Sequence, residues 1–226
     1  MQLFHIFAGM ENFSHILFDL DGTLTDNTRG IAASLAYTLK KMEIDGFDGH
    51  LPDGFIGPPL QEGFKQFFGL NERNILLAVE YFREYYSING LLENDPYPGV
   101  SELLEELYFA GKKIYIATAK LEKYARLICE HFGFDKYIIN LQGADYNGNF
   151  GTKSNLIAQL MKSEQLHPSK NIVMVGDTTM DITGGKENGL STIAVTYGFG
   201  KKEELQKAEP DYWAENVEEL AEMLVG

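Results

Sequence analysis

Four short apolar runs decide what this chain can become. Residues 16–20, 114–118, 172–176 and 192–197 are rich in Ile, Val, Phe and Tyr, and each is cut off by a polar residue or a glycine. Runs of this length and content read as strands covered on both faces. Between and after them lie stretches with helical apolar spacing: 100–110, 122–132, 154–161 and 180–188. Strand alternating with helix gives βαβ units, and these build a parallel sheet. The expected fold class is α/β: a doubly wound, Rossmann-like parallel sheet whose ligands bind beyond the carboxyl ends of the strands.

Residues 28–95 break that rhythm. They offer helix patterns at 30–42, 60–68 and 74–88 and no convincing strand. The segment is aromatic-rich, with Phe64, Phe67 and Phe68 followed by Tyr81, Phe82, Tyr85 and Tyr86. Stripes at this spacing read first as a small helical core. The turn-rich Asn94-Asp95-Pro96-Tyr97-Pro98-Gly99 marks the return to the sheet. The expected organisation is a catalytic core of residues 1–27 and 96–226, with a helical module of residues 28–95 inserted after the first strand. A chain of 226 residues suits one large domain carrying an insertion.

Charge narrows the function. With 33 acidic against 19 basic residues the formal net charge is −14, so the chain repels phosphate backbones and anionic membranes. Neither nucleic acid nor membrane is expected as a partner, and no apolar stretch is long enough to span a bilayer. The apolar opening residues 1–10 lack a basic region and a small-residue cleavage site, so no signal peptide is expected. One cysteine, Cys129, excludes an intrachain disulfide framework and fits a reducing, cytoplasmic setting. It sits within Ala125-Arg-Leu-Ile-Cys129 and reads as a buried structural thiol.

The acidity has a second use. In Asp19-Leu20-Asp21-Gly22-Thr23, at the end of the first run, side chains alternate, so Asp19 and Asp21 project to the same side. Asp19 lies among Ile, Leu and Phe, where a carboxylate is costly unless paired or metal-bound. A plain Asp-Gly turn explains Asp21-Gly22 but not Asp19. The run 172–175 ends in Gly176-Asp177-Thr178-Thr179-Met180-Asp181. If a helix starts near Thr178, Asp177 stands at its cap and Asp181 one turn on, facing the same way. Asp19, Asp21, Asp177 and Asp181 then converge at the ends of two strands. Such charges need compensation. Oxygen ligands without a His/Cys cluster favour Mg²⁺ over Zn²⁺. Thr118, ending the run 114–118, suits either a phosphoryl oxygen or an N-cap. Lys153 opposes the dipole of the helix it opens, so it is either a surface lysine or one employed elsewhere.

The ordered set Asp19-x-Asp21-Gly22-Thr23, Thr118, Lys153 and Gly176-Asp177-x-x-x-Asp181 resembles the four motifs of the haloacid dehalogenase superfamily. The inserted helical segment resembles that superfamily's cap. Phe55-Ile-Gly-Pro-Pro-Leu60 and Thr196-Tyr-Gly-Phe-Gly200 look like its phosphoglycolate phosphatase-like branch, which also holds 5′-nucleotidases and pyrophosphatases. The resemblance implies a Mg²⁺-dependent hydrolase of small-molecule phosphate esters, monomeric or homodimeric. It makes Asp19 the nucleophile that becomes an aspartyl-phosphate, and Asp21 the acid and base. Thr118 and backbone N–H groups near Gly22, Thr23 and Ala119 hold phosphoryl oxygens. Lys153 neutralises charge between Asp19 and the phosphoryl group. Asp177, with the Asp19 side chain and the Asp21 backbone carbonyl, holds Mg²⁺, and Asp181 is an auxiliary ligand or supports one. The cap would sort substrates.

There are departures from the branch. Ala119 stands where phosphoglycolate phosphatases commonly carry Asn, while Lys120 remains to meet an anionic leaving group or help hold phosphate. Gly176 stands where β-phosphoglucomutase-like relatives place an acidic residue, which speaks against a mutase. A phospho-accepting receiver domain would put its nucleophile on a middle strand and lacks an inserted cap. A dehalogenase has no need of Asp21. A phosphonate hydrolase needs a cap lysine for a Schiff base, and nothing marks Lys40, Lys41 or Lys65 for that.

Overall fold

The computed structural model describes residues 12–57, 59–145 and 151–225. The apolar opening residues 1–10 and Pro58 lie outside these. The chain divides into two compact units, one of residues 1–25 and 96–226 and one of residues 26–95.

The strands are β1 His15–Phe18, the short β2 Thr25–Asp26 and β3 Asp95–Pro96, β4 Lys113–Leu121, β5 Ile138–Ala144, β6 Ile172–Gly176, β7 Ser191–Val195 and β8 Tyr212–Ala214. The short β2 and β3 pair with each other. The other six form one sheet in the order β5-β4-β1-β6-β7-β8, with every pairing parallel. The chain winds outward from β1 through β4 to β5, then crosses to β6 and winds the other way. Right-handed crossovers place the helices of the two halves on opposite faces. That reversal opens a crevice at the carboxyl end of β1, between β4 and β6.

The helices of this unit are α4 Val100–Phe109, α5 Glu122–Phe132, α6 Lys153–Ser163, α7 Thr179–Glu187, α8 Lys202–Ala208 and α9 Val217–Val225; α1 to α3 belong to the other unit, below. Leu17 of β1, Tyr115 and Ala117 of β4, and Ile172 and Met174 of β6 pack with Ile157, Leu160 and Met161 of α6. Side chains buried like these contribute roughly 1.5–3 kcal/mol each, so this face of the central strands is anchored on α6, and the alternate residues Ile16, Ile116 and Val173 are buried as well.

The four apolar runs became β1, β4, β6 and β7. The edge strands β5 and β8 carry no comparable run. Only Leu141 and Gly143 of β5 are buried, with Asn140 and Gln142 in its middle, and β8 is three residues long. Edge strands are covered less, so their sequences are under less pressure to be apolar.

In the unit of residues 26–95, α1 Thr28–Lys41, α2 Leu60–Phe68 and α3 Glu72–Tyr85 pack together, and α3 runs on into a π-helical turn, Tyr86–Gly90. The aromatic stripes are core in part, with Phe64, Phe82 and Tyr86 buried and Phe67, Phe68, Tyr81 and Tyr85 half-buried. Phe55 meets the Phe64 ring edge-on at 6.0 Å, and Phe82 stacks on Tyr86 at 5.8 Å. The expected helix over 74–88 starts earlier because Asn71 caps it, its side chain accepting the Asn74 N–H at 3.0 Å. Pro59 is the N-cap residue of α2, one position before its first turn. No helix among the described residues is long and apolar enough to cross a membrane.

Candidate active site

Asp19 immediately follows β1 and extends its pairing, its N–H donating to the Val175 carbonyl at 2.9 Å. It is buried at the reversal point of the sheet. Its Oδ1 accepts the Leu20 N–H at 2.7 Å and faces the Lys153 Nζ at 2.9 Å. Two donors on one oxygen fix the carboxylate in place.

Lys153 is the first residue of α6, whose cap is Thr152, accepting the Asn155 N–H at 3.3 Å. The helix start throws the lysine inward, not to the surface. It is buried, and its Nζ also donates to the Ala117 carbonyl at 3.0 Å and faces Asp181 Oδ1 at 2.8 Å. Burial opposes its charge, but the carboxylates of Asp181 and Asp19 outweigh that, and its pKa is raised.

Asp177 follows β6 and is fully buried. Its Oδ2 accepts the Phe199 N–H at 2.7 Å, and its Oδ1 lies 3.4 Å from the Thr23 hydroxyl. Burial, then the charges of Asp181 and Asp19, push its carboxyl up to about 7. The helix cap expected at Asp177 is instead Thr178. Asp181 Oδ2 accepts the Thr178 N–H at 3.0 Å and its hydroxyl at 2.7 Å, a capping box that closes α7. Asp181 is therefore held by its own helix start and by Lys153. Its pKa is raised by burial and by Asp19, against the pull of Lys153.

Among the described residues, Asp19, Asp177 and Asp181 form a group whose ligand oxygens lie within 4.8 Å of one another. Three carboxylates against the single ammonium of Lys153 leave an excess of two negative charges if all ionise. An all-oxygen set with that excess fits a hard divalent cation. Asp21 is placed differently from the convergence expected of the four acids, for its carboxylate is outside this group. Its backbone forms an isolated bridge with Thr25, which turns the chain away from β1, and its Oδ2 takes the Lys120 ammonium at 2.5 Å. Burial raises the Asp21 pKa, with Lys120 pulling the other way.

The turn after Asp19 needs Gly22. Its φ is 81°, and a Cβ there would run into the Asp177 carboxylate and the Phe199 ring. The Gly22 N–H donates to the Thr25 carbonyl at 2.8 Å, so the turn itself uses this amide, which the resemblance had offered to a phosphoryl oxygen. Thr118 is buried, and its hydroxyl accepts the Lys120 N–H at 3.3 Å. It caps no helix: β4 breaks register between Ala117 and Leu121, and α5 begins only at Glu122. The bulge leaves Ala119 exposed and turns Lys120 toward Asp21.

Sequence reasoning missed two contributors. Thr178 was legible, since Thr178-x-x-Asp181 has capping-box spacing. The Phe199 N–H was not, being a backbone donor on a distant loop. Cys129 is 2% exposed and burial pushes its thiol up to about 12, so it is inert packing.

A family model described as haloacid dehalogenase-like hydrolase matches residues 16–195. A 5′-nucleotidase from Pseudomonas aeruginosa is 38% identical, over 94% of this chain and 96% of that protein. A phosphoglycolate phosphatase from Vibrio parahaemolyticus is 30% identical, over 92% of this chain and 95% of that protein. Among solved structures, protein tyrosine kinase A (PtkA) from Mycobacterium tuberculosis matches with a TM-score of 0.82 at 32% identity, over 96% of this chain and 99% of that one.

Proposed function

This chain belongs to the haloacid dehalogenase-like hydrolase family and is a phosphatase of it, and from that premise we propose that it hydrolyses small-molecule phosphate monoesters through an aspartyl-phosphate on Asp19. The observation that carries this reading is the fixed Asp19 carboxylate. It is buried at the end of the central strand, held by Leu20 and Lys153, and faces Asp177 across the acidic group.

In the first half-reaction an Asp19 oxygen attacks phosphorus and the ester P–O bond breaks. Asp21 donates its proton to the departing oxygen, leaving an alcohol. In the second, Asp21 takes a proton from water, whose oxygen attacks phosphorus and breaks the bond to Asp19, releasing inorganic phosphate. Asp21 is suited to both, because burial raises its pKa and Lys120 orients its carboxylate. The Thr118 hydroxyl and Ala119 at the β4 bulge line the phosphoryl position, and Lys153 balances charge there. Asp19 and Asp177, with the Asp21 carbonyl, would hold Mg²⁺. When bound, Mg²⁺ supplies charge neutralisation for the transferring phosphoryl group. Asp181 keeps Lys153 in place.

Residues 28–95 carry, on this reading, the choice of substrate. Nucleoside monophosphates are favoured over phosphoglycolate. The nucleotidase is the more similar of the two phosphatase relatives. Lys120, which could have met the glycolate carboxylate, is engaged with Asp21.

The test is phosphate release from a panel of esters with Mg²⁺ and with EDTA: nucleoside monophosphates, phosphoglycolate, sugar phosphates, phosphotyrosine and pyrophosphate. Mg²⁺-dependent release from a monoester is expected. Release unaffected by EDTA, or transfer from ATP to a tyrosine peptide without ester hydrolysis, would overturn the reading.

A further inference from the structure

The segment Thr196-Tyr197-Gly198-Phe199-Gly200 follows β7 and takes no part in the reaction above. Yet its backbone lies directly on the acidic group. A Cβ at Gly198 would strike the Gly22 carbonyl and the Asp177 side chain, and one at Gly200 would strike the Asp177 carbonyl. Two glycines are thus required by close approach, and between them the Phe199 N–H reaches Asp177 Oδ2 at 2.7 Å. The Phe199 ring covers Gly22. Just ahead, the Tyr197 hydroxyl donates to the Thr23 carbonyl at 3.0 Å, and its ring meets Tyr97 edge-on at 4.9 Å. Thr23 in turn presents its hydroxyl to the other Asp177 oxygen at 3.4 Å. The segment therefore ties the loop after β1 to the loop after β6, and Asp177 is the knot. Burial raises the Tyr197 phenol pKa, so it stays a donor across the working range.

We propose that residues 196–200 are a positioning element of the site, a backbone clamp that orients the Asp177 carboxylate and so sets the affinity of the acidic group for a divalent cation. This rests on the reading of Asp177 as a metal ligand. Partners that orient a ligand are worth roughly 10- to 100-fold in metal affinity. Here the clamp also fixes one carboxylate oxygen by an N–H bond, leaving the other oxygen's direction set by the Thr23 contact.

The experiment is Mg²⁺ titration by calorimetry on the whole chain, without substrate, for the wild type, Tyr197→Phe, Gly198→Ala and Asp177→Asn. Melts in EDTA run alongside. Tyr197→Phe removes one hydroxyl and keeps the ring, so it folds even if Gly198→Ala does not. The expected result is a Mg²⁺ Kd about 10-fold weaker for Tyr197→Phe and weaker still for Gly198→Ala. KM for the ester at saturating Mg²⁺ stays near the wild-type value. Asp177→Asn should abolish binding. Unchanged Kd in Tyr197→Phe, with binding lost in Asp177→Asn, overturns the clamp and leaves the metal reading standing. Wild-type binding in Asp177→Asn overturns the metal reading and the clamp with it.

Discussion

Lys153 Nζ stands 2.8 Å from Asp181 Oδ1, with both side chains buried, at the starts of two different helices. The pair joins α6 to α7 beneath Asp19. Removing one partner of a buried pair strands the other charge, at a cost of about 3–5 kcal/mol. Lys153→Met should lower unfolding free energy by about that amount in urea titrations and depress kcat for every ester. A cost under about 1 kcal/mol would show that the lysine carries no such charge balance.

Asp19→Asn is nearly isosteric and removes one of three crowded carboxylates. Turnover should fall by roughly a thousandfold or more, since the nucleophile is gone. The metal-free melting temperature should hold or rise, because repulsion is relieved. Turnover at the wild-type rate would remove Asp19 as nucleophile.

Asp177 gives a pH signature. Its folded carboxyl is pushed up to about 7, above the ordinary carboxylate value of about 4 that it has when unfolded. Between those values the folded chain keeps a proton that the unfolded chain has lost. The contribution of Asp177 to metal-free stability is therefore fully present below the lower value and is lost as pH rises through the window. A divalent cation takes the proton's place, so the stabilisation by Mg²⁺ should be larger at pH 8 than at pH 5. Thermal melts at both pH values check this; equal gains would contradict it.

Lys120→Gln tests the partner of Asp21. The lysine favours the charged carboxylate and so opposes the rise that burial causes. Without it the Asp21 pKa climbs further. The limb of kcat/KM that falls with rising pH, where the acid is lost, should move to higher pH. Because Lys120 faces Asp21 and not the leaving group, the ranking of nucleoside monophosphates against phosphoglycolate should stay as it is. A profile that does not move would separate Lys120 from Asp21 in function.

The sequence by itself determined the central strands and what stands at their ends. Runs such as 172–176, short and rich in β-branched residues, read as inner strands of a parallel sheet covered on both faces. An aspartate at the end of such a run has few roles other than chemistry. The helix starts at Lys153 and Thr178 were equally local, because capping depends on a few neighbouring residues. What only the tertiary structure decided is which side chain meets which. Lys120 was as free in sequence to face a substrate as to face Asp21, and the bulge after Ala117 settles it. Asp21 lies outside the acidic group, its backbone bridged to Thr25 and its carboxylate on Lys120. The donor on Asp177 comes from Phe199, 22 residues on, through a backbone N–H that every residue but proline possesses. Such pairings are set by the packing of strands far apart in the chain, and no local pattern encodes them.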